Sequence, residues 1–240
     1  MDSSSTRAEQ AGVLASGISR THGSGARRVR SLDDVSLSVE PGEVVAVMGP
    51  SGSGKTTLLH LLGGLDRADS GRVCIRGVDW QSLSGDDRAQ FRRRMCGFVV
   101  QGFSLLSQAT VAENVETPLL LDGVGAAARE LRVATALERV GLADHAVKLP
   151  DQLSGGQQQR VAVARALVME PAVVLGDEPT GSLDSKTARD VVNLLVAAAR
   201  EHGTCVVLVT HDPRVAGHAD RVLELRSGRI EPAASSRAGT

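Results

Sequence analysis

An α/β fold, with a mostly parallel sheet and an inserted helical subdomain, is what this 240-residue sequence predicts. Short apolar runs alternate with stretches of helical periodicity, the pattern of βαβ units. The stretch from about 102 to 158 carries helical patterns and no strand candidate, so the helical subdomain belongs there. The length suits one large domain or two small ones.

Residues 1–11 and 232–240, rich in Ser, Ala, Thr and Arg, read as flexible tails around a domain spanning 12–231. Val35-Ser36-Leu37-Ser38-Val39 alternates with period two, as a half-exposed strand should. Val44–Met48 is a continuous apolar run, expected of a strand buried on both faces. Phe98–Val100, Val173–Leu175, Cys205–Val209 and Val222–Leu225 are further buried-strand candidates. Helical patterns occupy about 55–65, 125–140, 156–169 and 185–201.

Composition narrows the function. Twenty-seven basic and 28 acidic side chains give a net charge of −1, so no whole-molecule basic field grips nucleic acid. Arg92-Arg93-Arg94 is a short basic run without interleaved aromatics and reads as a solvated helix end. Three dispersed cysteines (Cys74, Cys96, Cys205) form no disulfide framework, which points to a reducing compartment. The N-terminus has no apolar h-region, and no run approaches the ~20 residues of a membrane span. His60, His145, His202 and His218 have no metal-ligand spacing and read as surface or helix residues.

Gly49-Pro50-Ser51-Gly52-Ser53-Gly54-Lys55-Thr56 fits G-x-x-x-x-G-K-[ST] between a buried strand and a helix. Glycines let the backbone wrap a phosphate with N–H groups pointing inward. Lys55, one of only three lysines, would bridge β- and γ-phosphates, and the Thr56 hydroxyl would bind Mg²⁺. Val173–Leu175 leads through Gly176 into two acids, Asp177 and Glu178. Unpaired buried charge is costly, so a cation or reacting group is expected beside them. Asp177 would hold Mg²⁺ through a water, and Glu178 would polarise the water that attacks the γ-phosphate. Leu153-Ser154-Gly155-Gly156-Gln157 opens a helix as a capping box, Ser154 at the N-cap and Gln157 three residues on. Two glycines in a first helical turn cost about 0.8–1 kcal/mol each against alanine. Bare N–H groups approaching an anion would explain that cost.

In this order, the phosphate loop, Leu153–Gln157 and Asp177-Glu178 resemble the ATP-binding subunit of an ABC transporter, over about residues 12–230. The resemblance implies a P-loop NTPase core with an antiparallel β edge region, binding ATP and Mg²⁺ through Gly49, Ser51, Gly52, Ser53, Gly54, Lys55, Thr56 and Thr57. It makes Gln101 the Q-loop glutamine near Mg²⁺, His211 the switch histidine at the γ-phosphate, and Ser182-Leu183-Asp184 the D-loop. Ser154, Gly155 and Gly156 would cap the ATP held by Lys55 of a second subunit, with Asp184 crossing between the two, so a homodimer is implied. Glu178, His211 and Gln101 are then the catalytic candidates, and Thr56, Gln101 and Asp177 the metal candidates. The family stacks adenine on an aromatic residue upstream of the loop; here that position falls on His22, and the chain has no tyrosine.

Gly155–Arg160, Asp177–Ser185 and Glu113–Leu119 are similar to the lipoprotein-release and macrolide-efflux branch. That branch implies an exporter of lipoprotein, peptide or drug-like cargo, peripheral on the cytoplasmic face of the cell membrane and coupled to a separate integral permease. Phe103, Leu105 and Leu106 are then expected in a partly exposed permease-docking segment. The alternative is a cell-division-type ATPase that signals through a membrane partner without moving cargo. Neither the long coiled-coil insertion of DNA-repair relatives nor a second cassette is present.

Overall fold

Val44–Met48 (β3) alternates its apolar contacts between two faces, and that alternation organises the molecule. The computed structural model describes residues 11–231 apart from 24, 26 and 27. Six strands form one sheet in the order β10-β9-β3-β8-β7-β6. They are β3, β6 (Cys96–Val100), β7 (Val173–Asp177), β8 (Cys205–Val209), β9 (Arg221–Arg226) and β10 (Arg229–Glu231). The pairs β6–β7, β7–β8, β8–β3 and β3–β9 are parallel, and β10 closes the edge antiparallel to β9. A second, antiparallel sheet runs β2-β1-β4-β5, from β1 (Val13–His22), β2 (Val29–Val39), β4 (Ser70–Ile75) and β5 (Val78–Asp79).

Helix α1 (Lys55–Leu62) lies between the two sheets. Its Leu58, Leu59, Leu61 and Leu62 pack with Val45, Val47, Leu175 and Val207 of the large sheet and Ile18, Leu32 and Ile75 of the small one. The opposite face of the large sheet presents Val44, Val174, Val206 and Leu208 to α5 (Gly155–Leu167) and α6 (Ser185–His202). Strands buried on both sides must be apolar at every position, which is why their runs are continuous. Between the sheet strands β6 and β7, α3 (Val111–Leu121), α4 (Ala126–Arg139) and α5 bury a third core of Val111, Val115, Leu119, Val133, Leu137 and Val161. Among the described residues, no helix is long and apolar enough to cross a membrane.

Some elements had no readable signal. Helix α2 (Gly85–Met95) buries no residue completely, and its apolar side is short: Phe91 and Met95 lie half-buried against the main core. Beyond that packing, its support is the Ser84 cap on the Asp87 amide and Asp122, which binds Arg93 and Arg94. Gly17, at φ +61°, interrupts the period of β1 where its pairing with β2 shifts register. Ala11, within the expected N-terminal tail, is buried. The remaining tail residues, 1–10 and 232–240, lie outside the described residues.

Candidate active site

The chain leaves β3 at Met48, turns through residues 49–54 and enters α1 at Lys55. Crowding from behind dictates the glycines. A Cβ at Gly49 (φ +154°) would stand 2.1 Å from the Leu225 carbonyl oxygen, and one at Gly54 (φ +105°) 2.2 Å from that of Ser31. A Cβ on Gly52 would meet none of the described residues within 4 Å, so the front of the loop is open. Lys55 Nζ donates to the carbonyls of Gly49 (2.9 Å) and Pro50 (2.8 Å), folding its charge over the loop. The Gly228 amide donates to the Ser53 carbonyl, which ties the loop to the β9–β10 turn. Ser53 Oγ is buried with no partner among the described residues.

Adjacent parallel strands bring the acids to this loop. Thr56 Oγ1 donates to Asp177 Oδ2 at 2.9 Å, and the Gln101 amide donates to the Asp177 carbonyl at 2.9 Å. Glu178 is left-handed (φ +48°), a conformation a non-glycine residue holds only under constraint. Its amide donates to the Val209 carbonyl, Thr210 Oγ1 donates to Oε2 (3.4 Å), and His211 Nδ1 lies 2.7 Å from Oε1. The result is a cavity of about 650 Å³ lined by Ser51, Gly52, Gly54, Lys55, Thr56, Thr57, Gln101, Asp177, Glu178 and His211. That size falls within the ordinary range for ligand sites. Ser31 also lines it, a residue without any distinguishing sequence context.

His22 stands at the rim. It ends β1 opposite the exposed Val29 of β2, and its Nε2 lies 3.5 Å from Thr57 Oγ1. Arg20, two residues earlier, is held by Asp66 and Asp69, and the Thr21 amide donates to Asp69.

Ser154, Gly155, Gly156 and Asp184 do not line the cavity; they form a second cluster where the N-termini of α5 and α6 meet. Ser154 Oγ accepts from the Gln157 amide, and Gln157 Oε1 accepts from the Ser154 amide, completing the capping box. Asp184 caps α6, and hydrogen bonds from Thr187 and the first-turn amides hold its carboxyl below the usual range. A Cβ on Gly156 would fall 2.2 Å from Thr187 Cγ2, whereas one on Gly155 would meet only the Phe103 ring, at 3.5 Å. His145, from a 3₁₀ turn, approaches the Gln157 amide (Nε2 to Nε2, 3.2 Å), a contact no sequence spacing announces.

Thr56 and Asp177 offer one hydroxyl and one carboxylate. Among the described residues no group of three or more His, Cys, Asp or Glu could hold a metal by itself. So sparse an all-oxygen set suits Mg²⁺, which keeps its waters and shares phosphate oxygens.

A family model described as ABC transporter matches residues 32–181. The chain is 48% identical over 213 residues to the macrolide export ATP-binding/permease protein MacB of Hyphomonas neptunium, covering 89% of this chain and 33% of that protein. It thus spans about a third of that relative's length. It is 46% identical over 211 residues to the lipoprotein-releasing system ATP-binding protein LolD of Legionella pneumophila, covering 88% of this chain and 93% of that one. A solved dimeric ATP-binding cassette in a post-hydrolysis state, bound to ADP and Pi, superposes with a TM-score of 0.84 at 41% identity, covering 92% of this chain and 97% of the other.

Proposed function

The chain belongs to the ABC transporter family, and from that premise we propose that it is the ATP-hydrolysing subunit that drives a separate membrane permease. The observation that carries the chemistry is the meeting of Lys55, Thr56, Gln101, Asp177, Glu178 and His211 at one cavity. Backbone N–H groups of the loop beyond Pro50 and the N-terminus of α1 would face the phosphates of ATP, and Lys55 leaves the loop carbonyls for the β- and γ-phosphates. Mg²⁺ at Thr56 and Asp177, with Gln101 beside it, would neutralise charge on those phosphates. Glu178 orients a water and takes its proton as the water oxygen bonds to the γ-phosphorus and the bond to the β–γ bridging oxygen breaks. His211 and Thr210 fix the carboxylate that receives the proton. His22 and Val29 together form the platform for adenine, with the imidazole supplying part of the stacking.

A second copy completes each site. Ser154, Gly155 and Asp184 are away from their own Lys55 and partly exposed, so they are free to close over the nucleotide of a facing subunit. The permease seats in a groove of about 350 Å³ between α2 and α3, lined by Arg92, Phe98, Pro118 and Leu121. Leu106 and Leu121 are more than half exposed, as a docking face requires. The working position is therefore peripheral on the cytoplasmic face of the membrane, and kinship to the release and efflux branch makes export of lipoprotein, peptide or drug-like cargo the direction proposed.

Nucleotide binding and single-turnover hydrolysis of three variants test the site. Glu178→Gln lowers kcat by about 100-fold or more while ATP still binds and dimers accumulate. Lys55→Ala weakens binding itself. His22→Ala raises the ATP Kd a few-fold at nearly constant kcat, because stacking is unchanged as the γ-phosphate leaves. Near-normal turnover by Glu178→Gln removes the assignment of the base; an unchanged Kd for His22→Ala leaves adenine to Val29.

A further inference from the structure

Arg165 is a partly buried cation on α5 that forms no salt bridge with any described residue. Its Nη1 donates to the Ser104 carbonyl (2.7 Å) and its Nη2 to the Phe103 carbonyl (3.1 Å). Burial lowers its pKa, the sign of a guanidinium whose desolvation no carboxylate offsets. A planar fork matched to two adjacent acceptors is what arginine provides and lysine does not.

The two carbonyls it takes are unusual ones. Phe103 (φ +63°) and Ser104 (φ +46°) are consecutive left-handed non-glycine residues, and the Ser104 amide closes a three-residue turn on the Gly102 carbonyl at 2.6 Å. Such a turn persists only where its surroundings over-determine it. Upstream, the Gln101 amide is anchored to the Asp177 carbonyl. Downstream, the fully buried Asn114 binds both the amide and the carbonyl of Leu106. Between these anchors, Arg165 is the side chain among the described residues that bonds the turn. The same turn puts the Phe103 ring beside Gly155, at the other end of the helix that carries Arg165.

We propose that Arg165 is a positioning residue for hydrolysis: by holding the carbonyls of Phe103 and Ser104 it sets Gln101 in the cavity and fixes Gly155 relative to it. Gln101 and the exposed end of α5 then move as one body, although neither touches Arg165. Arg165 also lines the groove between α2 and α3, so whatever presses into that groove bears on the same guanidinium. This inference rests on the reading of the cavity as an ATPase site.

The test compares Arg165→Met and Arg165→Lys with the unmodified chain, measuring nucleotide Kd and kcat per bound nucleotide. A displacement of about 1 Å at a reacting centre costs up to roughly 100-fold, so Arg165→Met is expected to lower kcat about tenfold with Kd within about twofold. Arg165→Lys, with one donor centre, recovers part of that loss. In a Glu178→Gln background, Arg165→Met also weakens ATP-driven dimerisation. A kcat per bound nucleotide equal to that of the unmodified chain overturns the proposal, and so does a parallel loss of binding and turnover, which marks a merely structural role. If Arg165→Met does not fold, Arg165→Lys decides alone: undiminished kcat overturns the inference. An unmodified chain that fails to hydrolyse ATP ends the ATPase reading itself, whereas active unmodified chain with unaffected Arg165 variants ends only this inference.

Discussion

Gly155 and Gly156 are neighbours with different reasons to lack a side chain. At Gly156 the space is already occupied: Thr187 Cγ2 stands where a Cβ would go, and Thr187 Oγ1 is bound to Asp184 at 2.6 Å, so the threonine cannot rotate away freely. At Gly155 there is ordinary room. Gly156→Ala is therefore expected to destabilise the isolated subunit by about 1–3 kcal/mol, the usual cost of overpacking. In a thermal melt this reads as roughly 2–4 °C per kcal/mol for a chain of this size. Gly155→Ala should not lower Tm, and relief of the helical cost of glycine should raise it slightly, while ATP-driven dimerisation weakens. Equal Tm losses for the two variants contradict this division. Both glycines are conspicuous in the sequence as a costly pair in a first helical turn, and the anion argument covers both. The contact with Thr187, thirty-one positions away, is invisible there, because it depends on how α5 and α6 are packed.

At the scale of elements, legibility followed the strength of the local signal. β3, β7 and β8 stood out as continuous apolar runs, and α5 announced itself by a capping box that the structure completes with both hydrogen bonds. β1 was hidden by its polar composition and the irregularity at Gly17; α2 was hidden because its apolar side is reduced to the half-buried Phe91 and Met95 within a strongly charged stretch. For α2 the short apolar side is supplemented by Asp122, at the end of α3, whose carboxyl is held below its usual range chiefly by Arg94 and then by Arg93. Asp122→Ala is expected to speed amide exchange across residues 85–95 selectively, with the α1 amides unchanged. Uniform acceleration through both helices would show that α2 is not an independently held unit. The site divides the same way. Lys55, Thr56, Asp177 and Glu178 were legible because each stands at a strand end or loop with its own chemistry. The pairings His211–Glu178, His145–Gln157 and Arg165 with two carbonyls needed the folded chain.

The whole molecule has a defined pH window. Asp122, Asp212 and Asp220 have lowered pKa values, led by hydrogen bonds from Arg94, Arg214 and Arg200 respectively. Their contribution is present above the unfolded value of about 3.9 and is lost as pH falls through the lower folded values. Burial pushes the Cys96 and Cys205 thiols up to about 12. Their contribution is full below the unfolded value of about 8.5 and is lost as pH rises toward the folded one. These groups should therefore lower Tm below about pH 4 and again above about pH 9. All three cysteines are buried, so alkylation at pH 8 should require unfolding; rapid labelling of native protein would contradict this burial. The large sheet has one more consequence, for biosynthesis. β3 pairs with β8 and β9, and the phosphate loop leans on Leu225 and Gly228. The phosphate loop thus has no wall until β9, far downstream in the chain, has left the ribosome. A nascent chain that stops short of β9 is therefore expected not to retain ATP, and nucleotide to assist folding only once the β9–β10 turn has been made.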